Sequence, residues 1–329
     1  MTNSTINDLG GTDITGFQNE DGKISAGDSN AALLSFFARV NYDYDNKYLL
    51  SLSIRRDESS KFHKDNRVGY FPSVSAGWNV HQEKWFQNPV MSKLKIRASY
   101  GELGANFLNP YNFDAIAYGP IPYTVGGERY VTGRAAYLKS KDLKWETAKT
   151  TDIGIELGFF NNDLTLSLDY FVKKNVDLLA QIDLNLSSGQ IFEINSSREK
   201  PYVNTASVKN TGWEFMMNYR KQLTKDFHID ATFNIATLKN KVLSLGENVQ
   251  PITSGAMSSY FNDAASITMP GEAIGSFYGY KIDGFDAEGN FIFADTDKNG
   301  VVNANDKVIL GSPIPDFTYG LNINMEYKD

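Results

Sequence analysis

The sequence lacks cysteine altogether and contains only three histidines and four tryptophans among its 329 residues. Without cysteine there is neither a disulfide framework nor a thiolate metal site. His63, His81 and His228 lie far apart in the chain, and no pair of them has the spacing of metal ligands. The sequence also has no Gly-x-Ser-x-Gly nucleophile turn and no glycine loop of the kind that holds phosphate. We therefore expect no enzyme activity, no catalytic residues and no organic cofactor.

The sequence also has fewer basic than acidic residues, and it has no long apolar run. The 32 Lys and Arg are outnumbered by 39 Asp and Glu, which gives a net charge of −7. This acidic balance argues against a nucleic-acid partner. No apolar run approaches the ~18 residues of a membrane-spanning helix. Any membrane crossing must therefore use strands, which spread their hydrophobicity over alternate positions.

What the sequence does contain is alternation of apolar and polar residues, in runs of about ten that meet at short polar turns. Side chains alternate across a strand, so each run predicts a strand with one apolar and one polar face. Tilted strands of this length span a bilayer core. The nine runs are Leu34–Tyr44, Tyr48–Arg55, Tyr70–Val80, Leu94–Gly101, Ile153–Phe159, Leu164–Lys173, Trp213–Arg220, Phe227–Ile235 and Phe317–Tyr327.

Alternation alone also fits a soluble β-sandwich, in which the apolar face points at a dry core. Three features favour a transmembrane antiparallel β-barrel instead. Short turns at 45–47, 161–163 and 224–226 alternate with long excursions, as expected of periplasmic turns and extracellular loops. Tyr, Phe and Trp cluster at both strand ends like interfacial girdles. Charged residues occupy nearly every polar face, which a water-filled lumen accepts and a packed core does not.

The strand count suggests how the chain is organised. Nine wall strands leave an unpaired edge on each side, whereas single-chain bacterial barrels have even counts and no open edge. We therefore interpret residues 33–329 as part of a larger barrel and residues 1–32 as a polar extracellular loop. The other predicted excursions are Glu58–Gly69, Glu102–Lys149, Lys174–Lys209 and Lys239–Asp316. Residues 275–282 inside the last excursion predict a strand of a loop hairpin rather than of the wall.

Nine segments, in order through Leu33–Asp329, match the pattern of a known family. They are Ser53–Asp57, Gly69–Trp78, Leu94–Gly101, Ile153–Glu156, Gly158–Asn162, Asp169–Phe171, Asn210–Glu214, Ile274–Tyr280 and Gly311–Gly320. Together they resemble the SusC/RagA family of TonB-dependent outer-membrane transporters. This resemblance implies about nine strands of a roughly 22-stranded barrel with a plugged lumen. The expected location is the bacterial outer membrane.

The resemblance also implies partners and a substrate class. A surface lipoprotein of the SusD type would act as a lid, and the TonB complex would supply energy through a plug domain. The imported nutrients would be glycan oligosaccharides rather than peptides, although both occur in the family. We find no plug, TonB-contacting segment, leader or closing strands in the sequence, so this chain alone is not expected to transport. A soluble surface-binding or adhesin module and a passive porin are the alternatives.

One loop of the last excursion has the spacing of a calcium-binding loop over residues 295–306. Oxygen-bearing side chains stand at positions 1, 3 and 5, a glycine at position 6 makes the turn, and position 7 offers its carbonyl. The expected ligands are Asp295, Asp297, Asn299, Val301, Asn303 and Asp306. Asp306 is shorter than the usual bidentate Glu, and no helices flank the loop. An Asx-rich surface turn is therefore the alternative to a structural calcium site.

Aromatic residues of the 102–149 excursion are the other candidate site. Tyr111, Tyr118, Tyr123 and Tyr130 are interleaved with proline and glycine in a segment where function is often located. Flat rings suit the faces of sugars, so contact with substrate or with the lid protein is one interpretation. Packing of the loop against itself is the other. Four arginines on the lumen faces could contact a plug or substrate, but we interpret them as solvated lumen lining and name none as a site. They are Arg39, Arg55, Arg97 and Arg220.

Overall fold

The computed structural model describes residues 30–108, 117–135, 141–181, 202–246, 249–256 and 264–328. These residues form strands joined by turns and two short 3₁₀ segments. In this part of the chain no helix is long and apolar enough to cross a membrane. The strands are β1 (Leu33–Tyr44), β2 (Tyr48–Ser59), β3 (Val68–Asn79), β4 (Met91–Ala105), β5 (Ala117–Val125), β6 (Glu128–Ala135), β7 (Glu146–Phe159), β8 (Leu164–Gln181), β9 (Tyr202–Thr224), β10 (Phe227–Thr237), β11 (Lys239–Ser244), β12 (Ile252–Ala256), β13 (Ala264–Thr268), β14 (Ser276–Tyr280), β15 (Ile282–Phe285), β16 (Phe291–Phe293), β17 (Lys307–Gly311) and β18 (Phe317–Tyr327).

One large antiparallel sheet forms the wall. Its strand order is β1-β2-β3-β4-β7-β8-β9-β10-β18, and β11 adds to β9. Each of the nine alternating runs in the sequence lies in one of these nine wall strands, so the predicted wall is confirmed. The sheet is open, because among the described residues β1 pairs only with β2 and β18 only with β10.

Tight turns fix the register of the wall hairpins. The β1–β2 hairpin closes with Tyr44 opposite Tyr48, and the intervening Asp45 and Asn46 have φ values of 54° and 52°. The β7–β8 turn includes Asn161 and Asn162, also at positive φ. Asp and Asn tolerate this left-handed conformation better than most residues. The predicted turns at 45–47, 161–163 and 224–226 are therefore confirmed.

The apolar face of the wall remains uncovered. Phe36 is 59% exposed and Ile323 is 49% exposed, although both belong to the apolar positions of their strands. In the described ranges no second sheet packs against this face. A sandwich would bury these side chains in a dry core, so the sandwich alternative is wrong. An uncovered apolar face fits a strand wall that contacts lipid.

Two wall strands run further than the sequence predicted. The predicted excursion began at Lys174 and ended at Lys209, but β8 continues to Gln181 and β9 begins at Tyr202. Pairing persists to Gln181 opposite Tyr202. A small core on the lumen-side face stabilises this extension, because Val208 and Val242 lie opposite each other on the face that also carries Glu214. Its members are Ala180, Ala206, Val208, Val242 and Leu245.

A second small core lies on the lumen side of the wall. Phe71 falls on the face predicted to be polar, yet it is only 6% exposed. Its ring packs edge-on against Trp145 at 5.6 Å between centroids and lies over Gly104, where a Cβ would overlap the ring. Loop residues therefore fold inward at this end of the wall. The core consists of Phe62, Phe71, Leu108, Leu143 and Trp145.

The last excursion leaves β10 and returns to β18 at one point, although its first strand, β11, still pairs with β9 in the wall sheet. The Leu238 amide donates to the Asp316 carbonyl at 3.0 Å. Between them, β12, β13, β14 and β17 form a separate four-stranded sheet, and β15 pairs with β16. The strand predicted over 275–282 corresponds to β14, which lies outside the wall as expected. The other excursion strands were not predicted, because their short runs show no sustained alternation.

Candidate functional site

The polar face of the wall carries a shallow concavity of about 560 Å³. It spans the first four strands and the edge of β7. Charged and hydrogen-bonding side chains make up much of its lining, together with small residues that keep it open. Its polar lining comprises Asn41, Asp43, Ser51, Ser75, Lys95, Arg97, Ser99 and Asp152.

An ion-pair network crosses three strands at one edge of this concavity, and Arg97 is its centre. The Arg97 Nη2 atom lies 2.7 Å from Asp169 Oδ1, and its Nε lies 3.4 Å from Glu156 Oε1. Lys93 Nζ approaches another oxygen of Glu156 at 2.7 Å. Three cations and three carboxylates thus balance each other. The members are Lys93, Lys95, Arg97, Asp152, Glu156 and Asp169.

The glycine at position 154 makes this network possible. Gly154 on β7 lies directly opposite Asp169 on β8 and Arg97 on β4. Asp169 reaches across β7 to Arg97, and a Cβ on Gly154 would overlap Asp169 Oδ1 and come within 2.9 Å of Arg97 Nε. Ser167 donates to the other oxygen of Asp169 at 3.0 Å. The carboxylate is only 11% exposed, so it depends on these partners.

Other lumen-facing arginines are also paired. Arg220 binds Asp230 through two nitrogens, at 2.8 and 2.7 Å from the same oxygen. Arg55 Nε lies 2.7 Å from Asp57 Oδ1, and Asp57 is 5% exposed. A carboxylate thus pairs with each of these arginines, across strands for Arg97 and Arg220 and within β2 for Arg55. The side chain of Arg220 is still 64% exposed, and lumen lining stays a prediction for all three.

Uncharged hydrogen bonds also link the lumen faces of the first strands. The Ser53 and Ser73 hydroxyl oxygens lie 2.7 Å apart on neighbouring strands. Ser51 donates to Asn41 Oδ1 at 2.7 Å. Hydroxyl and side-chain amide groups can each both donate and accept hydrogen bonds, so they suit a ligand rich in hydroxyl groups.

Aromatic rings cluster at the short-turn end of the wall, as the girdle pattern predicted. Tyr44 stacks on Tyr48 at 6.3 Å between centroids, and Tyr48 stacks on Trp78 at 6.4 Å. Tyr48 donates to Glu83 Oε1 at 2.7 Å, and Trp78 Nε1 donates to the same oxygen at 3.1 Å. The hydrogen bond from Tyr48, with that from Trp78, lowers the pKa of the Glu83 carboxyl. Trp85, which sequence patterns missed, extends the cluster and is 65% exposed.

In the calcium-type loop, Asp306 is held by the loop's own backbone. It is fully buried, and its Oδ1 accepts from the Thr296 and Asp297 amides at 2.7 and 3.2 Å. Its Oδ2 accepts from the Asn303 amide at 2.8 Å. The Asn303 hydrogen bond is the largest cause of a lowered pKa at Asp306. Asp306 therefore closes the loop through hydrogen bonds from the loop's backbone amides.

The other acidic residues of this loop converge near Asp306. Oxygens of Asp295, Asp297 and Asp306 lie within 4.8 Å of one another. Asp295 Oδ2 accepts from the Gly300 amide at 2.7 Å, and Gly300 has the expected positive φ of 87°. Backbone amides therefore offset part of the carboxylate repulsion, which weakens the reason for requiring a cation. The donor set is one that calcium accepts, and calcium at the six expected ligands remains a prediction.

The loop tyrosines are only partly described. Tyr111 lies outside the described residues. Tyr118, Tyr123 and Tyr130 lie on the β5–β6 hairpin, where Tyr123 is opposite Tyr130. Their side chains fall outside the described part of the chain. Contact with substrate or a lid protein therefore remains a prediction for all four.

Comparison with known proteins gives a consistent result. The family model described as "TonB dependent receptor-like, beta-barrel" matches residues 2–328. The TonB-dependent receptor P3 of Formosa agariphila is 36% identical over 315 residues, which cover 90% of this chain and 30% of the relative. The TonB-dependent receptor SusC of Bacteroides thetaiotaomicron is 32% identical over 320 residues, with the same two coverages.

Solved structures share the architecture. The RagAB peptide importer in its open-open state superposes with a TM-score of 0.75 at 24% identity, over 93% of this chain and 32% of that one. At that identity the likeness concerns the fold alone. The chain spans about a third of the length of the curated relatives it matches.

Proposed function

This chain belongs to the TonB-dependent receptor β-barrel family, and we propose that it forms part of the wall of a transporter that imports large nutrients. It is an outer-membrane protein, as its relatives are. The observation that carries the proposal is the two-sided wall: nine consecutive antiparallel strands expose apolar side chains on one face and paired polar groups on the other. A wall of this kind separates lipid from a wet conduit.

Glycan oligosaccharides are the proposed substrate class, with peptides as the alternative. The lumen-side charges described above neutralise each other in pairs, for example Arg97 with Asp169 and Arg220 with Asp230. Serine hydroxyls and amides line the neighbouring strands. This face therefore offers hydrogen bonds to a neutral hydroxyl-rich ligand and little net charge to a charged peptide. The RagAB relative is named as a peptide importer, which keeps the alternative open to test.

The proposal includes two partners, a surface lipoprotein and the TonB complex. A SusD-like surface lipoprotein would cover the mouth on the side of the long excursions, and the TonB complex would supply energy through a plug that closes the lumen. The excursion between β10 and β18 carries its own sheet, which supports a role in contact with another protein rather than as a simple connection. The family consists of receptors and transporters, and we propose no catalytic role.

The test uses the complete transporter in its own cell. A strain without the transporter gene is supplied with defined oligosaccharide pools or defined peptide pools, and uptake of each labelled pool is measured. We expect loss of oligosaccharide uptake and its restoration by the complete gene. Restored uptake that persists without TonB would indicate a passive pore and overturn energised import. Loss confined to peptides would overturn the glycan assignment.

A further inference from the structure

A line of lysines crosses four neighbouring strands of the wall. Lys149 on β7 lies opposite Lys174 on β8, Lys174 lies opposite Lys209 on β9, and Lys209 lies opposite Lys241 on β11. Directly opposed residues of antiparallel strands share one face of the sheet. These four residues, the lysine row, therefore project from one side of the wall along one line of register.

The lysine row lies on the apolar face of the wall. On the same strands and the same face, Ile153 lies opposite Tyr170, and Tyr170 lies opposite Trp213. The Tyr170 and Trp213 rings are in contact at 4.8 Å between centroids. Lys174 and Lys209 follow these rings by four residues, which is about 13 Å along a strand and about 9 Å of depth at a 45° tilt. The ammonium groups therefore lie just beyond the aromatic belt.

Most of the lysine row has no counter-charge within the described chain. Lys149 Nζ lies 3.3 Å from Glu102 Oε1. In the part of the chain that the structure describes, Lys174, Lys209 and Lys241 form no ion pair. Like charges directly opposite one another on neighbouring strands are destabilising. A row of this kind is stabilised when anions bind it from outside.

We infer that the lysine row binds the phosphate groups of a phosphorylated glycolipid in the outer leaflet of the outer membrane. The charge is complementary, since lysine ammonium groups are common phosphate ligands. The row is also continuous with the lipid-facing apolar belt, so a lipid whose acyl chains lie along that belt brings its phosphates to this height. A nutrient inside the lumen cannot reach it, because the row is on the opposite face. The inference rests on the proposed orientation, in which the long excursions are extracellular.

The experiment compares two triple variants of the complete transporter, extracted in mild detergent. The test variant is Lys174→Gln, Lys209→Gln and Lys241→Gln. Its matched control replaces three exposed lysines outside the row, at Lys64, Lys84 and Lys225. Purified lipid A is titrated against each protein, with phosphatidylglycerol and inorganic phosphate in parallel. Glutamine keeps much of the side-chain length and removes only the charge.

We expect the test variant to bind lipid A on the order of 100-fold more weakly, since each lysine near an anionic surface contributes about fivefold. The control variant should bind like the wild type, and added salt should weaken wild-type binding. Equal binding by the test variant and the wild type would overturn the inference. Equal binding of phosphatidylglycerol and lipid A, or full competition by millimolar inorganic phosphate, would overturn the glycolipid assignment. Uptake is measured separately, so failure of the wild-type transporter to restore uptake, with intact lipid A binding, would refute the proposed function alone.

Discussion

The two partners of the Arg97–Asp169 pair should differ in what their removal costs. Replacing Asp169 by Asn leaves Arg97 beside Glu156 at 3.4 Å and Asp152 at 3.9 Å, so the cation keeps partners. Replacing Arg97 by Gln leaves a carboxylate that is 11% exposed without its cation. Breaking a buried pair costs about 3–5 kcal/mol, and partial exposure reduces that figure. We expect about 1 kcal/mol for Asp169→Asn and about 2–3 kcal/mol for Arg97→Gln.

The measurement is denaturant unfolding of the complete transporter in detergent, followed by tryptophan fluorescence and by heat-dependent mobility on a gel. The double variant completes a cycle that isolates the pairwise contribution. Equal costs for the two single variants, or no coupling between them, would refute the reasoning.

Glycine substitutions provide an independent check on the same geometry. Gly154→Ala places a Cβ against Asp169 Oδ1 and should cost about as much as losing the Asp169 contact, about 1 kcal/mol. Gly77→Ala is the matched control on the same face, since its Cβ would meet Lys95 and Leu49 at ordinary distances of 3.4 and 3.5 Å. If both alanine variants are equally stable, Asp169 does not cross over Gly154.

Three further predictions concern other parts of the chain. Trp145→Ala should destabilise the complete protein by about 3 kcal/mol, because it leaves a cavity in the core around Phe71. Trp85→Ala, at an exposed ring, should change the free energy of unfolding by less than about 1 kcal/mol. Calcium should protect residues 295–306 from protease and chelation should expose them; cleavage that ignores both would argue for a simple turn. The lowered pKa of Asp306 means that its stabilisation is present above the unfolded pKa of about 3.9 and is lost as pH falls through the folded value. Protease protection of the loop should therefore persist at pH 5 and decline progressively as the pH falls below about 4, while Asp306→Asn should remove this pH dependence.

The wall was predictable because lipid on one side and water on the other constrain every position of a strand. Each alternating run carries that constraint over about ten residues, and the Asp-Asn and Asn-Asn turns fix where the chain reverses. Register follows from the turns as well. Counting outward from the 161–163 turn places Asp169 opposite Gly154 and Lys174 opposite Lys149.

Alternation did not reveal contacts between segments that are distant in sequence. Phe71 and Trp145 meet 74 positions apart, and no local period records such a partner. The continuation of β8 and β9 was missed for a related reason, because it is stabilised by a small core that includes Val242 of β11, and alternation does not record that partner. The calcium-type loop was recognisable by spacing, but the backbone donors around Asp306 emerge only once the loop is folded.

The hydrogen bond between Leu238 and Asp316 has an evolutionary consequence. Since departure and return share a single location, and β11 is paired with β9 before the excursion's own sheet begins, the barrel's strand order does not depend on the segment between β11 and β18. Mutation can lengthen, shorten or exchange the segment between β11 and β18 while the wall strands keep their register. New surface chemistry can then be acquired without rebuilding the pore.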